Sequence, residues 1–414
     1  MMKITWFRVF LLINMYGMSV ISYATCSPNL NAGIQQILDN DRELYGIPGI
    51  QVSVLCPEDT VPRDFVSGST TLEGDTPLQP THIFQLGSET KSFVAVTLLQ
   101  LESQGLLSLD DPLGKWLTDI PESWRSITIR QVLNHTSGIY NYTDALEEKY
   151  LAGETIQLTK NWSSKELLEL VENRPFYFPP GQGWHYTNTN YVLAGMIIEK
   201  ITGQPVGDVL MTRWVKPLQL SSMLYVPHLF PDSLLNQVAH GYSERGYFVD
   251  EPKDVTFYTN SWANAAGSMD GTSHDVALWM RHLVRGELLP PSAMTELTSL
   301  VDLYDGQPLP ANAQTAGNGL GIFQDSDLFD ERAWWHLGGT LGYMSLMVWL
   351  SCHDVVVTTD TNHLTYSYDI YLVTKDIISY IQSTSPNQQC VVTHAPQLTA
   401  QGKDTLKHAF SAVY

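Results

Sequence analysis

A hydroxyl and an amine on one helix face, one turn apart, can form a nucleophile and its base. Ser88 and Lys91, in the run Gly87-Ser88-Glu89-Thr90-Lys91, have that i, i+3 spacing. A serine at a helix start also has backbone N–H groups and the positive end of the helix dipole aimed at the oxygen that becomes an anion during acyl transfer. Lys91 acts as a base only if its pKa falls, which burial in the apolar helix that follows would achieve. A lone Ser-x-x-Lys is more often a capped helix with a solvated lysine. None of the other eleven lysines, however, has a serine three residues before it.

Two further groups could complete such a site. Tyr186-Thr187-Asn188 follows the turn Phe178-Pro179-Pro180-Gly181 and precedes an apolar helix closed by Gly203. There a tyrosine can relay a proton to the leaving group, and an asparagine can hold a substrate amide while contacting the lysine. Tyr258-Thr259-Asn260 repeats the tripeptide but lacks the buried helix after it, so the first copy is preferred. His336-Leu337-Gly338-Gly339 stands just before a strand at Tyr343–Leu350. His336 is expected to bring positive or hydrogen-bonding character opposite Ser88. Gly338 lets a substrate backbone approach, and the Gly339 N–H can form half of an oxyanion hole.

The elements that must position these residues are legible in outline. Ile34, Ile37, Leu38, Leu44 and Tyr45 mark a helix from about Asn31 to Tyr45, stopped by Gly46 and Pro48. Strands are expected at Gln51–Cys56 and Phe65–Ser69, then a helix from Ser88 to Gly105. Residues from about 106 to 319 read as helical pieces joined by Pro/Gly-rich loops, with a capping box at Ser163-Ser164-Lys165-Glu166. Strands return at Tyr343–Leu350 and Val355–Thr359, and a helix through Ile370, Val373, Ile377 and Ile381 closes the core. Strands at both chain ends predict an α+β fold: one antiparallel sheet (residues 27–105 and 320–385) flanked by helices, with an inserted, mostly helical subdomain.

Composition limits the alternatives. The 414 residues are 43% hydrophobic and 16% charged, ample for a soluble core. Lys3 and Arg8, the apolar run Val9–Ile21 and Ser22-Tyr23-Ala24 predict a signal peptide over residues 1–24 and a periplasmic or secreted protein. The run is interrupted and short of the roughly 20 apolar residues of a membrane span, so no stable membrane insertion is expected after cleavage. Cleavage removes two basic and no acidic residues, so the net charge of −20 becomes −22. Such a surface argues against nucleic acid and anionic lipid as partners. Cys26–Cys56 and Cys352–Cys390 are the favoured disulfides, with free thiols the alternative, and no Cys/His spacing suggests zinc. No cofactor is implied. The tail from 386 to 414 shows little periodicity, and oligomeric state is not readable.

In order along the chain, these elements resemble the penicillin-recognising serine hydrolases, most closely the D-alanyl-D-alanine carboxypeptidases related to class C β-lactamases. Leu133-Asn134-His135-Thr136-Ser137-Gly138, the run from Tyr186 to Gly203, Ser261-Trp262-Ala263, Gly319-Leu320-Gly321 and Gly338–Tyr343 carry the likeness, over roughly residues 30–385. The resemblance implies a β-lactamase/transpeptidase-like fold and an acyl-enzyme on Ser88, with Lys91 and Tyr186 exchanging the proton. Asn188 would bind the substrate amide, the Ser88 and Gly339 N–H groups the oxyanion, and Trp262 would wall the cleft, with Gly338, Gly339 and Thr340 along the substrate.

Histidine at 336, where β-lactamases usually carry lysine, favours a carboxypeptidase or esterase. Two departures bear on substrate. Leu337 replaces a common carboxylate-binding threonine, and Ile322-Phe323-Gln324-Asp325 follows Gly319-Leu320-Gly321 where an arginine is common. Whether Arg332 replaces it is open from the sequence. The ranking is D-Ala-D-Ala carboxypeptidase first, esterase or D-amino-acid amidase second and β-lactamase third, on a small peptide, ester or β-lactam. The rival of another class is a silent binding protein on the same fold.

Overall fold

In the computed structural model, residues 26–27, 29–74, 76–243, 248–249, 253–364 and 368–385 are described. The expected signal peptide, the tail after residue 385 and Cys390 lie outside them.

The first helix, α1 (Leu30–Tyr45), ends on Gly46 in the left-handed conformation, φ 66°, as its Gly-x-Pro stop predicts. Strands β1 (Gly49–Leu55) and β2 (Arg63–Gly68) form a hairpin. A 3-10 turn, Gly87–Glu89, leads directly into helix α2 (Thr90–Ser103). Helices α3 (Tyr142–Leu151), α4 (Asn188–Thr202) and α5 (Ser273–Val284) come from the middle of the chain. The Ser163/Glu166 capping box forms as expected and opens the short helix Ser164–Glu169.

Short strands β3 (Val301–Asp302), β4 (Gly317–Asn318) and β5 (Phe323–Asp325) precede β6 (Ala333–Gly339), β7 (Met344–Leu350) and β8 (Val355–Thr361). Helix α6 (Asp369–Thr384) follows. All eight strands join one antiparallel sheet in the order β2-β1-β8-β7-β6-β5-β4-β3. The sheet is therefore assembled from both chain ends, as the paired early and late strands predict. β3 and β4 extend it from within the stretch read as helical insert.

The run His336–Gly339, expected to stand before a strand, is itself the end of strand β6. The sequence signal is weak because every residue of β6 is buried, so apolar and polar positions do not alternate. One sheet face packs Val52, Val54, Leu337, Leu346 and Val348 against α1 and α6 through Leu30, Ile34, Leu38, Val373 and Ile377. The other face meets the helical core built around α2, α4 and Trp279 of α5.

The Cys26–Cys56 disulfide forms, with Cα atoms 6.1 Å apart, and ties the chain before α1 to the end of β1. Cys352 is also disulfide-bonded, while its expected partner, Cys390, lies outside the described residues. Among the described residues no helix is long and apolar enough to cross a membrane.

Candidate active site

Two glycines allow the turn that carries Ser88 to press on the sheet. Gly87 has φ 48°, and a Cβ there would lie 2.5 Å from the Gly339 nitrogen. A Cβ on Gly338 would lie 2.0 Å from the Leu86 carbonyl oxygen. No side chain fits at either crossing, so the start of the Ser88 turn rests on the last residues of β6. β5 pairs with β6 only over Ala333–Trp335, so beyond Trp335 that edge of β6 carries no partner strand among the described residues.

Lys91 is wholly buried. Its Nζ lies 2.8 Å from each of Ser88 Oγ, Asn188 Oδ1 and the Ala266 carbonyl oxygen. The Tyr186 and Tyr191 rings stand 4.8 and 5.5 Å from the same atom. Burial pushes the Lys91 amine well below its ordinary pKa.

A neutral amine has two N–H bonds and one lone pair. The two carbonyl oxygens can only accept, so they take the N–H bonds and leave the lone pair for the Ser88 hydroxyl. Such an arrangement can serve a serine nucleophile with a lysine as its base.

Tyr186 and Asn188 arrive on the chain entering α4, whose start is capped from outside. The Thr187 side chain makes no capping bond. Instead the Thr187 N–H donates to His135 Nδ1 at 3.2 Å, and the Asn188 N–H donates to Asn141 Oδ1 at 3.0 Å. The His135 ring stacks on Tyr186 at 4.3 Å. Burial raises the Tyr186 phenol above its ordinary pKa, and the neighbouring Ser88 side chain offsets part of that. The Tyr186 hydroxyl is buried and makes no hydrogen bond of ordinary length.

His336 lies in the same enclosure. Burial first, then the nearness of the Lys91 amine, lowers its imidazole to about 3, and burial with Lys91 and His336 lowers His135 as well. Of the two characters expected of His336, positive charge is therefore absent and hydrogen bonding remains. Its Nδ1 lies 2.7 Å from the Leu337 carbonyl, which only accepts, so Nδ1 carries the proton and Nε2 the lone pair.

Leu337 belongs to the α1/α6 core on the opposite sheet face. Phe323, within the Ile322–Asp325 run in which an arginine is common, stacks on Trp335 at 4.9 Å, faces Tyr186 at 6.4 Å and meets His336 edge-on at 5.4 Å. Arg332 lies over the Trp334 ring and donates to the Ala311 carbonyl. It stands four strand residues, about 13 Å, before His336.

Thr340 is buried with its hydroxyl unpaired, beside Gly339. Trp262 is half-buried, and its carbonyl accepts from the Tyr142 hydroxyl at 2.6 Å. The second Tyr-Thr-Asn copy braces the turn that presents Ala266: Asn260 Nδ2 donates to the Gly267 carbonyl at 3.0 Å. Sequence reasoning missed Ala266, Asn141 and Thr143. A backbone carbonyl has no residue-type signal, and the other two lie just past the Leu133–Gly138 motif.

A family model described as beta-lactamase matches residues 34–372. The chain belongs to the beta-lactamase family. Within this family it is similar to a D-stereospecific amidohydrolase from Streptomyces sp., at 33% identity and TM-score 0.66, over 80% of this chain and 94% of that one. It is also similar to the D-amino acid amidase of Ochrobactrum anthropi SV3 solved with L-phenylalanine amide, at 27% identity and TM-score 0.72, over 87% and 100% of the two chains. Penicillin-binding protein 4* of Bacillus subtilis is 26% identical over 287 residues, which are 66% of this chain and 59% of that protein. The chain spans between half and three-fifths of the length of the curated relatives it matches. The beta-lactamase-like fold that the resemblance implies is present.

Proposed function

We propose that this beta-lactamase-family protein hydrolyses amides of D-amino acids or short D-configured peptides through an acyl-enzyme on Ser88. Lys91 takes the Ser88 proton as the hydroxyl adds to the substrate carbonyl. The Ser88 and Gly339 N–H groups hold the oxyanion, and Tyr186 passes the proton to the departing amine. A water then attacks the ester, its proton returning through Lys91 and Tyr186 to free Ser88. The open edge of β6 beyond Trp335 suits an extended substrate backbone, and Asn188 suits its amide.

The observation that carries the choice of substrate is Phe323, packed between Tyr186 and Trp335 in a run that lacks the carboxylate-binding arginine the resemblance implies. His336 beside it is neutral, so a free carboxylate there would be desolvated without a partner. This reverses the order of the sequence-based ranking, placing the D-amino-acid amidase ahead of the D-Ala-D-Ala carboxypeptidase. The likeness to a D-stereospecific amidohydrolase and to a D-amino acid amidase supports the same choice.

The test is a parallel assay of ammonia release from D- and L-phenylalanine amide, D-alanine release from a peptide ending in D-Ala-D-Ala, and chromogenic cephalosporin hydrolysis. Preferred turnover of the D-amide is expected. Dominant D-alanine release would return the carboxypeptidase to first place.

A further inference from the structure

Asn188 has more partners than a substrate-binding asparagine requires. Its Oδ1 accepts from Lys91 at 2.8 Å, and its Nδ2 donates to Thr143 Oγ1 at 3.3 Å. All three side chains are buried. Thr143 is the second residue of α3, and the turn before it is fixed independently of the site. Asn141 Nδ2 donates to Asp144 Oδ1 at 2.7 Å, which leaves Asn141 Oδ1 to accept the Asn188 N–H. Asp144 Oδ2 accepts from the Tyr177 hydroxyl at 2.5 Å, and that hydroxyl accepts the Asn141 N–H at 3.2 Å. The Tyr142 N–H donates to Thr189 Oγ1 at 3.0 Å, joining the same turn to the first turn of α4.

The direction of the Asn188 carboxamide decides what Lys91 can do. With Oδ1 facing Lys91, the amide takes one N–H of the neutral amine, Ala266 takes the other, and the lone pair faces Ser88. With the amide reversed, Nδ2 would offer a proton to that lone pair and compete with the Ser88 hydroxyl. Thr143 Oγ1 is the acceptor that keeps Nδ2 away from Lys91. We infer that Thr143, held by the Asn141–Asp144 turn, is a positioning residue that aims the Lys91 lone pair at Ser88 by fixing the Asn188 carboxamide. It acts through Asn188 and need not touch substrate. The inference rests on the acyl-Ser88 reading.

Thr143→Val keeps the shape and removes the acceptor, whereas Thr143→Ser keeps the hydroxyl and loses a methyl. Steady-state kinetics on a p-nitrophenyl ester and intact mass after an excess of a fluorophosphonate, an active-serine reagent, test the idea on the full chain, with melting temperature measured alongside. Thr143→Val is expected to lower kcat about 10-fold or more with KM changed less than about 2-fold. Thr143→Ser is expected to restore kcat to within about 3-fold of wild type at whatever melting temperature it shows. Wild-type kcat in Thr143→Val, or equal loss in both variants, would overturn the positioning role while leaving the nucleophile intact. Absence of an adduct on wild-type Ser88 would instead overturn the acyl-serine reading and this inference with it.

Discussion

Lys91 Nζ and Ser88 Oγ lie 2.8 Å apart inside a site where Lys91 has no exposed surface. Removing the amine leaves the hydroxyl without a base. Lys91→Met is expected to lower kcat/KM for any ester substrate about 10³-fold, measured against Ser88→Ala as the floor. Because burial lowers the Lys91 pKa, the unprotonated base is present well below the pH at which a solvated lysine titrates. Activity should rise as pH rises through that lowered value. A limb of the kcat/KM profile at the ordinary lysine value of 10.5 would contradict it.

Gly87→Ala should disturb catalysis more than its size suggests. The new Cβ would stand 2.5 Å from the Gly339 nitrogen, and the three nearest atoms all belong to the Gly339 backbone. Relief requires the Ser88 turn and the end of β6 to part, which separates the two proposed oxyanion donors. A loss in kcat of about 10²-fold is expected, together with about 2 kcal/mol of destabilisation read by urea titration.

Glu89, between Ser88 and Lys91, is buried beside Ser345, Met347 and Asp360 of the sheet. Burial and then the buried Asp360 raise its carboxyl well above the ordinary 4.5. The folded-state pKa thus exceeds the unfolded one, so the stability this group contributes is complete below the unfolded value and declines as pH rises through the folded one. Glu89→Gln cannot ionise. Its stability relative to wild type should increase between about pH 5 and about pH 8, measured by urea titration at each pH. A constant difference across that range would refute the assignment.

The Cys26–Cys56 disulfide closes a separation of 30 residues spanning α1 and β1. Replacing both cysteines by serine should cost about 3 kcal/mol through the freedom restored to the unfolded chain, read as a lowered denaturation midpoint. The active-site residues lie elsewhere, so kcat at 25 °C is expected to remain within about 2-fold of wild type.

Several parts of the fold were legible because local patterns encode them. The Gly46 stop of α1, the Ser163 capping box and the hydrophobic face of α6 form where periodicity and cap residues predict. Ile34 and Leu38 of α1 are buried as expected, whereas Leu44, expected on the same α1 face, is exposed because it falls in the last turn, past the part of the helix that packs on the sheet. The β6 strand was not legible, since a strand buried on both faces and ending in two glycines shows neither alternation nor a clear boundary. Asn141 and Thr143 were passed over for a different reason: their meaning lies in contacts with Asn188, 47 and 45 residues away.

The sequence by itself determined the Ser88–Lys91 pair, because one helical turn is a local rule that tertiary context does not need to supply. Tertiary structure decided what the pair can do. It brought Asn188 and the Ala266 carbonyl to Lys91 from 97 and 175 residues away, and it buried the amine so that its lone pair is available. It also made His336 neutral and packed Phe323 against Trp335 beside it, because desolvation and packing depend on everything that surrounds a side chain.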